Sequence, residues 1–233
     1  MRIGGFQKNS LIDFPGEMAC LVFTPGCNLV CPYCHNPDLA RGRVDDNFHM
    51  DQAAVMDFLK ARQGFLGGVA ITGGEPSLQP DLVDFIRQVR ELGYKVKLDS
   101  NGSRPEVLKE LLDKEWVEYI AMDIKTRLDN YPDLARGELD ISKLRESMAL
   151  IRSQAPDYEF RTTCVRPFIT REIMGDIARE LAGAKRYILQ TCSRNVEMLD
   201  TDFMADEQRF FTPEEMEELA NIARETMDIV ELR

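Results

Sequence analysis

Three cysteines and a histidine lie within nine positions of this chain, in the stretch "GCNLVCPYCHN" at 26–36. Their spacing is Cys27-x3-Cys31-x2-Cys34, with His35 directly after the last cysteine. Thiolates and imidazoles are nucleophiles, redox groups and metal ligands, so this stretch is the first candidate for chemistry. The spacing is compatible with more than one use of these side chains.

Four interpretations of the stretch compete with each other and with simple burial. The "CPYC" at 31–34 has the spacing of a dithiol redox motif, but that use leaves Cys27 idle. "CPYCH" also matches covalent haem attachment, which is usually completed outside the cytoplasm. A structural zinc site would need the adjacent Cys34 and His35 to reach one tetrahedral ion, which is geometrically difficult. Burial as small apolar side chains is disfavoured by the glycine and proline around them.

The fourth interpretation is an iron–sulfur cluster bound by the three thiolates of this stretch. Such clusters ordinarily have four cysteine ligands, so three would leave one iron without a protein ligand. An open metal position is where a substrate binds, as in catalytic zinc sites. Among the other cysteines, Cys20 and Cys164 fall inside predicted strands and are expected in the core, while the place of Cys192 stays open.

The elements that must position these residues alternate along the chain. Short apolar segments rich in β-branched residues predict strands at 18–23, 68–72, 96–99, 119–123, 160–165, 187–190 and 229–232. Between them, apolar residues recur every three or four positions, as at Leu82, Phe85, Ile86 and Val89, which indicates amphipathic helices. The last helix begins at "TPEE", with Thr212 as N-cap, Pro213 as first helical residue and Glu215 completing a capping box. The pattern predicts an α/β fold with a parallel sheet, doubly wound or curled into a barrel, in one domain over 1–233.

Composition argues against several classes of partner. The 233 residues carry a net charge of −11 with acidic and basic residues interleaved, so no surface is predicted to hold a nucleic acid. No apolar run approaches the ~20 residues of a membrane span. We therefore expect a cytoplasmic protein without a membrane or nucleic-acid partner, in which the cysteines do not form disulfides.

The cysteine stretch resembles the defining motif of the radical S-adenosylmethionine (SAM) enzymes, including the aromatic Tyr33 before the last cysteine. "TGGEP" at 72–76, "LDSNG" at 98–102 and "MDIK" at 122–125 are similar to successive motifs of glycyl-radical-enzyme activating enzymes. The N-terminal "SLIDFPGEMACLVFTPGCNLVCPYCHNP" resembles most the activating proteins of anaerobic ribonucleoside-triphosphate reductases. The departure is Ser100, where these proteins more often have threonine with the same hydroxyl.

The resemblance implies a partial (β/α)6 TIM-like barrel of parallel strands with outer helices. It implies a radical SAM oxidoreductase with a [4Fe-4S] cluster on Cys27, Cys31 and Cys34 whose open iron binds the amino and carboxylate groups of SAM. Reductive cleavage would give a 5′-deoxyadenosyl radical that takes hydrogen from a glycine of an anaerobic ribonucleotide reductase. A flavodoxin- or ferredoxin-type protein is the implied electron donor.

The motifs follow the C-terminal ends of predicted strands, where parallel α/β folds assemble their sites. Gly73 and Gly74 would let the backbone approach SAM, and Glu75 would accept from its ammonium or orient its ribose. Lys125 would neutralise the SAM carboxylate, with Asp123 beside it as an acceptor. The other implied SAM contacts are Tyr33 and His35 at the adenine, and Ser100, Asn101 and Gln190 at strand ends. A plain turn at "TGGEP" and a solvated strand end at "MDIK" are the alternatives.

Arg161 lies in a largely apolar strand, where an unpaired guanidinium is costly. Its predicted partner is the carboxylate or ribose of SAM, or an aspartate such as Asp99 or Asp123. The resemblance also suggests a monovalent cation held by Asp99, Ser100 and Asp123. His49 has no motif around it and is predicted to be a surface residue.

The loop at 195–211 mixes apolar and acidic residues, and two roles are open for it. It would either line the mouth where a protein partner docks or plug the end of the barrel. Two other functions also stay open for the whole chain. One is radical SAM chemistry on a small molecule, and the other is a non-catalytic metal or dithiol module.

Overall fold

The computed structural model describes residues 1–45, 48, 50–194 and 196–233, and its strands form a single sheet. The strands are β1 Gly5–Ser10, β2 Ala19–Thr24, β3 Gly68–Gly73, β4 Lys95–Ser100, β5 Tyr119–Asp123, β6 Asp157–Cys164, β7 Tyr187–Thr191 and β8 Val230–Leu232. They lie side by side in chain order. The first pair is antiparallel and each later pair is parallel, so the predicted parallel α/β architecture is confirmed.

Helices on the outer face connect the parallel strands and bury apolar stripes against them. They are α1 Pro37–Ala40, α2 Gln52–Ala61, α3 Leu82–Glu91, α4 Pro105–Asp113, α5 Ile141–Gln154, α6 Arg171–Glu180, α7 Thr201–Met204 and α8 Pro213–Arg224. Helix α3 buries its predicted stripe of Leu82, Phe85, Ile86 and Val89 completely. This arrangement is the predicted partial TIM-like barrel, with β1 and β8 at the two ends of the sheet.

The capping box at the start of α8 is present as the sequence predicts. The hydroxyl of Thr212 accepts from the backbone N–H of Glu215, and the Glu215 carboxylate accepts from the Thr212 N–H at 2.9 Å. These two bonds satisfy N–H groups that the first turn of a helix leaves without intrahelical partners. The boundary between the 196–211 loop and α8 is therefore sharply defined.

The core lies between the strands and the outer helices. Alternate side chains of the central strands, such as Val22, Ile71 and Leu98, are fully buried there. Cys20 and Cys164 are 0% and 1% exposed, which confirms that they are core residues. Burial raises the pKa of both thiols to about 12, as expected for cysteines that act as small apolar side chains.

Strand β1 is an element that the sequence analysis did not predict. Its sequence, "GFQKNS", contains glycine, lysine and asparagine, which are uncommon in strands. The strand nevertheless pairs antiparallel with β2, with Gly5 opposite Phe23 and Ser10 opposite Ala19. An edge strand can expose polar side chains to solvent, so its composition is weakly constrained.

The interior of the barrel is apolar at one end and charged along the rest. At the N-terminal end of the strands, Phe14 packs against Tyr119 with ring centroids 6.3 Å apart, beside Ala19 and Ala121. Between this apolar cluster and the opposite rim of the barrel, the interior contains charged side chains. None of the helices within the described residues combines the length and hydrophobicity that crossing a membrane requires.

Candidate active site

A cavity of about 420 Å³ opens at the C-terminal ends of the strands, and it brings together the residues predicted from separate motifs. Its volume is within the range typical of small-molecule sites. Every predicted site residue lines it: Cys27, Cys31, Tyr33, Cys34, His35, Gly73, Gly74, Glu75, Asp99, Ser100, Asn101, Asp123, Lys125, Arg161 and Gln190. The roles of these residues toward SAM stay predictions, whereas their convergence is an observed property of the fold. His49 lies outside the described residues.

The cysteine loop is held by backbone hydrogen bonds on both sides. The N–H of Cys34 donates to the carbonyl of Cys31 at 3.0 Å, which forms a tight turn between two of the thiols. The N–H of Val30 donates to the carbonyl of Leu134 at 2.7 Å, and this bond ties the loop to the segment after β5. The loop is therefore held by a turn of its own and by a neighbouring connection.

Burial raises the pKa of Cys27 to about 12 and that of Cys31 to about 11, because the thiolate is poorly solvated there. Metal ligation requires the thiolate, so assembly of a cluster on these residues must release protons. Three thiols in one cavity match the donor preference of iron–sulfur clusters. The donor set thus fits a cluster with one iron left open.

Within the ranges that the structure describes, no three His, Cys, Asp or Glu side chains are close enough together to bind one metal ion. The ligands of an iron–sulfur cluster bind different iron atoms, so they surround a larger body than a single ion. The two kinds of site therefore have different spacing requirements for the same side chains.

The "TGGEP" segment packs directly against the cysteine loop. Gly73 has φ +114°, and a Cβ atom added at Gly74 would lie 2.1 Å from the carbonyl oxygen of Gly26. The backbone N–H of Glu75 donates to that same carbonyl at 2.7 Å. Only glycine permits the backbone at Gly74 to lie this close to Gly26. The segment is therefore a strand-to-helix turn that also fixes the position of the residue before Cys27.

Glu75 is the most buried carboxylate of the site, with 1% of its surface exposed. It accepts hydrogen bonds from the hydroxyl of Ser77 at 2.6 Å, the hydroxyl of Ser100 at 2.9 Å and the N–H of Asn101 at 2.6 Å. Burial raises its pKa, although these bonds oppose the shift. The carboxylate joins the ends of β3 and β4, and the SAM contact implied for it stays a prediction.

Asn101 continues this connection to the cysteine loop. Its side-chain amide donates to the side-chain oxygen of Asn28 at 2.8 Å and lies 4.0 Å from the sulfur of Cys27. The asparagine is 5% exposed. A chain of contacts thus runs from Glu75 through Asn101 to the first cysteine of the motif.

Arg161 pairs with both of the aspartates that the sequence suggests as its partners, Asp99 and Asp123. Its Nε is 2.9 Å from Asp123 and its Nη1 is 3.3 Å from Asp99. Lys125 lies 3.1 Å from the second oxygen of Asp123. Burial alone would raise the pKa of Asp123, but the charges of Arg161 and Lys125 outweigh it and lower that pKa to about 2. The structure therefore shows Arg161 in salt bridges with two aspartates. A contact between Arg161 and SAM stays a prediction.

Tyr33 and His35 lie on either side of the last cysteine of the motif. Tyr33 is 3% exposed, and its hydroxyl donates to the carbonyl of Lys125 at 3.2 Å. His35 is exposed, its Nε2 lies 4.0 Å from the sulfur of the buried Cys192, and desolvation lowers the pKa of its imidazole. Cys192 is thus a neighbour of the histidine, although it does not line the cavity.

Several residues that line the cavity belong to no motif in the sequence that would have marked them as site residues. Gln7 and Asp13 line the cavity because the unpredicted strand β1 and the turn after it complete one wall. Thr163 lies on β6 opposite Gln190, next to Arg161 along the same face. An alternation of inward and outward residues in β1 would have identified Gln7, but this strand is too short and too polar to show such an alternation.

Known proteins resemble the chain in both sequence and fold. The sequence pattern of the radical SAM superfamily matches residues 21–181. A Methanocaldococcus jannaschii protein with the provisional name glycyl-radical enzyme activating enzyme is 32% identical over 242 aligned residues, covering 99% of this chain and 95% of that protein. The pyruvate formate-lyase-activating enzyme of Clostridium pasteurianum is 32% identical over 135 residues, which cover 53% of this chain and 52% of that enzyme.

Solved structures resemble the fold at low sequence identity. Streptococcus suis SuiB bound to its precursor peptide SuiA superposes with a TM-score of 0.65 at 15% identity, over 91% of this chain and 48% of SuiB. The protein anSMEcpe with bound AdoMet has a TM-score of 0.60 at 15% identity, over 87% of this chain and 58% of that protein. The match of the superfamily sequence pattern and the full-length likeness to the Methanocaldococcus jannaschii protein establish that the chain belongs to the radical SAM superfamily, whose enzymes use a [4Fe-4S] cluster and SAM.

Proposed function

We propose that this protein is an activating enzyme that generates a glycyl radical on an anaerobic ribonucleoside-triphosphate reductase. The observation that supports this proposal most directly is the match to the Methanocaldococcus jannaschii protein, because it covers nearly the full length of both chains. The reductase as target is supported by the N-terminal "SLIDFPGEMACLVFTPGCNLVCPYCHNP", which includes the turn after β1 and the whole cysteine loop.

In this function Cys27, Cys31 and Cys34 hold the cluster and leave one iron for the amino and carboxylate groups of SAM. When bound and given one electron, the cluster and SAM would supply radical chemistry at this site. Lys125 offers an ammonium to the SAM carboxylate. Asp123 orients that ammonium through their 3.1 Å ion pair.

The remaining site residues position SAM and enclose it. The glycine backbone at Gly73 and Gly74 permits close approach of the ligand, and Glu75 holds the ends of β3 and β4 in place. Tyr33 and His35 are placed for the adenine, partly through backbone atoms. The chain's task is thus to orient SAM so that its radical forms next to the target hydrogen.

The target hydrogen, in this proposal, belongs to a glycine Cα of the partner protein. The bound SAM would supply the group that accepts this hydrogen atom, with 5′-deoxyadenosine as product and one unpaired electron left on the glycine. A flavodoxin- or ferredoxin-type protein supplies the electron for each cleavage. The cavity lies at the rim of the barrel, where a loop of a partner can reach it.

The test is anaerobic incubation of the cluster-loaded protein with reductant, SAM and the candidate reductase. We expect 5′-deoxyadenosine by chromatography and a glycyl radical doublet by electron paramagnetic resonance, in similar amounts. A Cys31→Ala variant should give neither product. Formation of 5′-deoxyadenosine without a protein radical, stimulated instead by a small molecule, would reject the activating-enzyme proposal in favour of the small-molecule alternative.

A further inference from the structure

Five charged side chains of alternating sign line the interior of the barrel in one continuous series. In order they are Lys97, Asp99, Arg161, Asp123 and Lys125, and they come from β4, β5 and β6 and the residues directly after β5. Neighbouring members of the series are ion-paired. Lys125 lies at the cavity, whereas Lys97 lies behind it and is only 3% exposed.

Each carboxylate oxygen of the two aspartates in this series has an ion-pair partner. One oxygen of Asp99 is 2.5 Å from the ammonium of Lys97, and the other is 3.3 Å from Arg161. One oxygen of Asp123 is 2.9 Å from Arg161, and the other is 3.1 Å from Lys125. The cations on these carboxylates are therefore side chains of the protein.

Ser100, the third residue expected at a monovalent cation, is also engaged. Its hydroxyl donates to Glu75 at 2.9 Å and accepts from the N–H of Gly102 at 3.0 Å. A hard cation needs several oxygen ligands directed at one point. The oxygens of Asp99, Ser100 and Asp123 are instead directed at partners within the chain, so this arrangement does not fit a bound metal cation.

We propose that the side-chain ammonium of Lys97, through its ion pair with Asp99, replaces the positive charge that an external monovalent cation would otherwise supply at this carboxylate. The binding of SAM is then independent of K⁺ and Na⁺. Lys97 acts as a positioning residue, because it contacts Asp99 and through it fixes Arg161. It does not itself line the cavity.

The charge balance of the series supports this role. Three cationic and two anionic side chains leave one net positive charge on the series, and its Lys125 end lines the cavity. Glu159 approaches Arg161 at 4.0 Å, but it has its own partner in Arg233 at 3.3 Å. A buried ion pair that loses one member leaves an uncompensated charge, so each member depends on its neighbours.

The inference rests on membership of the radical SAM superfamily and not on the identity of the protein partner. It is tested with the anaerobic, cluster-loaded protein and SAM alone, by isothermal titration calorimetry in KCl, NaCl or choline chloride of equal ionic strength. We expect the dissociation constant of SAM to agree within about twofold among the three salts. An affinity about tenfold weaker in choline than in KCl or NaCl would overturn the proposal.

A Lys97→Met variant tests the residue directly. It removes the ammonium and keeps a long side chain of similar volume. We expect SAM affinity in choline to fall about tenfold, because Asp99 keeps only Arg161 as a partner, and K⁺ or methylammonium to restore part of it. Unchanged affinity in all salts would overturn the proposal. The matched control is Lys95→Met on the same strand, since Lys95 is exposed and pairs with Glu17 at the surface.

A crystallographic measurement keeps the proposal testable even if Lys97→Met does not fold. Wild-type crystals soaked in RbCl or thallium acetate reveal bound monovalent cations by anomalous scattering. We expect no anomalous peak between Asp99 and Asp123 in the wild-type protein, with or without SAM. A peak coordinated by these two carboxylates would overturn the assignment of that charge to Lys97.

Discussion

Gly74 is a position where neighbouring backbone atoms leave no room for a side chain. A Cβ atom there would lie 2.1 Å from the carbonyl oxygen of Gly26 and 2.7 Å from its carbon, and both are backbone atoms. Because neither atom can move without shifting the cysteine loop, the glycine couples β3 to the position of Cys27. Cluster binding and local backbone packing are therefore linked at this residue.

We predict that Gly74→Ala destabilises the protein by about 1–3 kcal/mol, since the clash must be relieved by moving backbone. The iron content after anaerobic reconstitution should fall to well under half of the wild-type value. Urea unfolding and iron analysis measure the two effects. The control is Gly175→Ala within α6, where the added atom meets only the end of Arg179 at 3.5 Å and alanine favours the helix. Equal iron content in both variants would contradict the prediction.

The individual site residues were predictable where a motif was local. The cysteine spacing, the glycine pair and the "MDIK" segment each signal chemistry within a few positions of the chain. Lys97 carried no such signal, because a lysine two residues before an aspartate is common on solvated strands. Lys97 is buried because it lies on the inward face of β4. There its ammonium pairs with Asp99, which also pairs with Arg161.

The loop between β7 and α8 packs inward over the cysteine motif. Met198 and Phe210 are buried, and the N–H of Asp200 donates to the carbonyl of Pro32 at 3.0 Å. The ring of Phe203 lies 5.8 Å from Phe168. Asn195, at the start of this loop, is outside the described residues. These contacts favour the plugging role for the loop over a docking surface.

We predict that Phe203→Ala lowers the free energy of unfolding by about 1–2 kcal/mol, because the half-buried ring loses its contacts with Phe168 and with the guanidinium of Arg209. The affinity for the partner reductase should stay within about twofold, a difference of about 0.4 kcal/mol. Urea unfolding and calorimetric titration with the partner give the two values. Val196→Ala, at an exposed position of the same loop, serves as the control. A large loss of partner affinity at unchanged stability would support the docking role instead.

At the level of strands and helices, the sequence predicts the structure well where apolar periodicity is strong. The stripes of α3 and the capping box of α8 lie where they were predicted. The start of β6 was placed three residues late, because Asp157 and Glu159 interrupt the apolar run. Glu159 is nevertheless 1% exposed inside the barrel. The polar residues at the start of β6 thus kept the apolar pattern from showing where this buried strand begins.

The buried apolar core of the molecule lies mainly between the sheet and the helices, and Leu29, Cys31 and Tyr33 are the residues of the cysteine loop that belong to it. We predict that removing the iron leaves the far-ultraviolet circular dichroism spectrum unchanged. SAM affinity should fall at least about tenfold, and the unfolding midpoint by about 5–10 °C, because bound ligands stabilise only the folded state. Reconstitution with iron and sulfide should restore both properties. A random-coil spectrum after iron removal would show that the fold depends on the cluster.

The order of elements, the amphipathic helices and the chemical identity of the cysteine loop follow from residues that are near each other in the chain. Backbone hydrogen bonding within helices and the burial of apolar stripes are governed by periodicities of two and 3.6 residues, which a single sequence displays. The resemblance to radical SAM enzymes likewise rests on short contiguous motifs. These features needed no knowledge of long-range contacts.

The partners of the buried charges depend on sheet register, which no local pattern specifies. Asp123 lies opposite Arg161 because β5 and β6 pair in that register, across 38 positions of sequence. Asp99 receives both Arg161 and Lys97 because all three side chains face the interior. Which cation meets which carboxylate is set by distances of a few ångströms between residues far apart in the chain. The series from Lys97 to Lys125 therefore became visible only in the folded barrel.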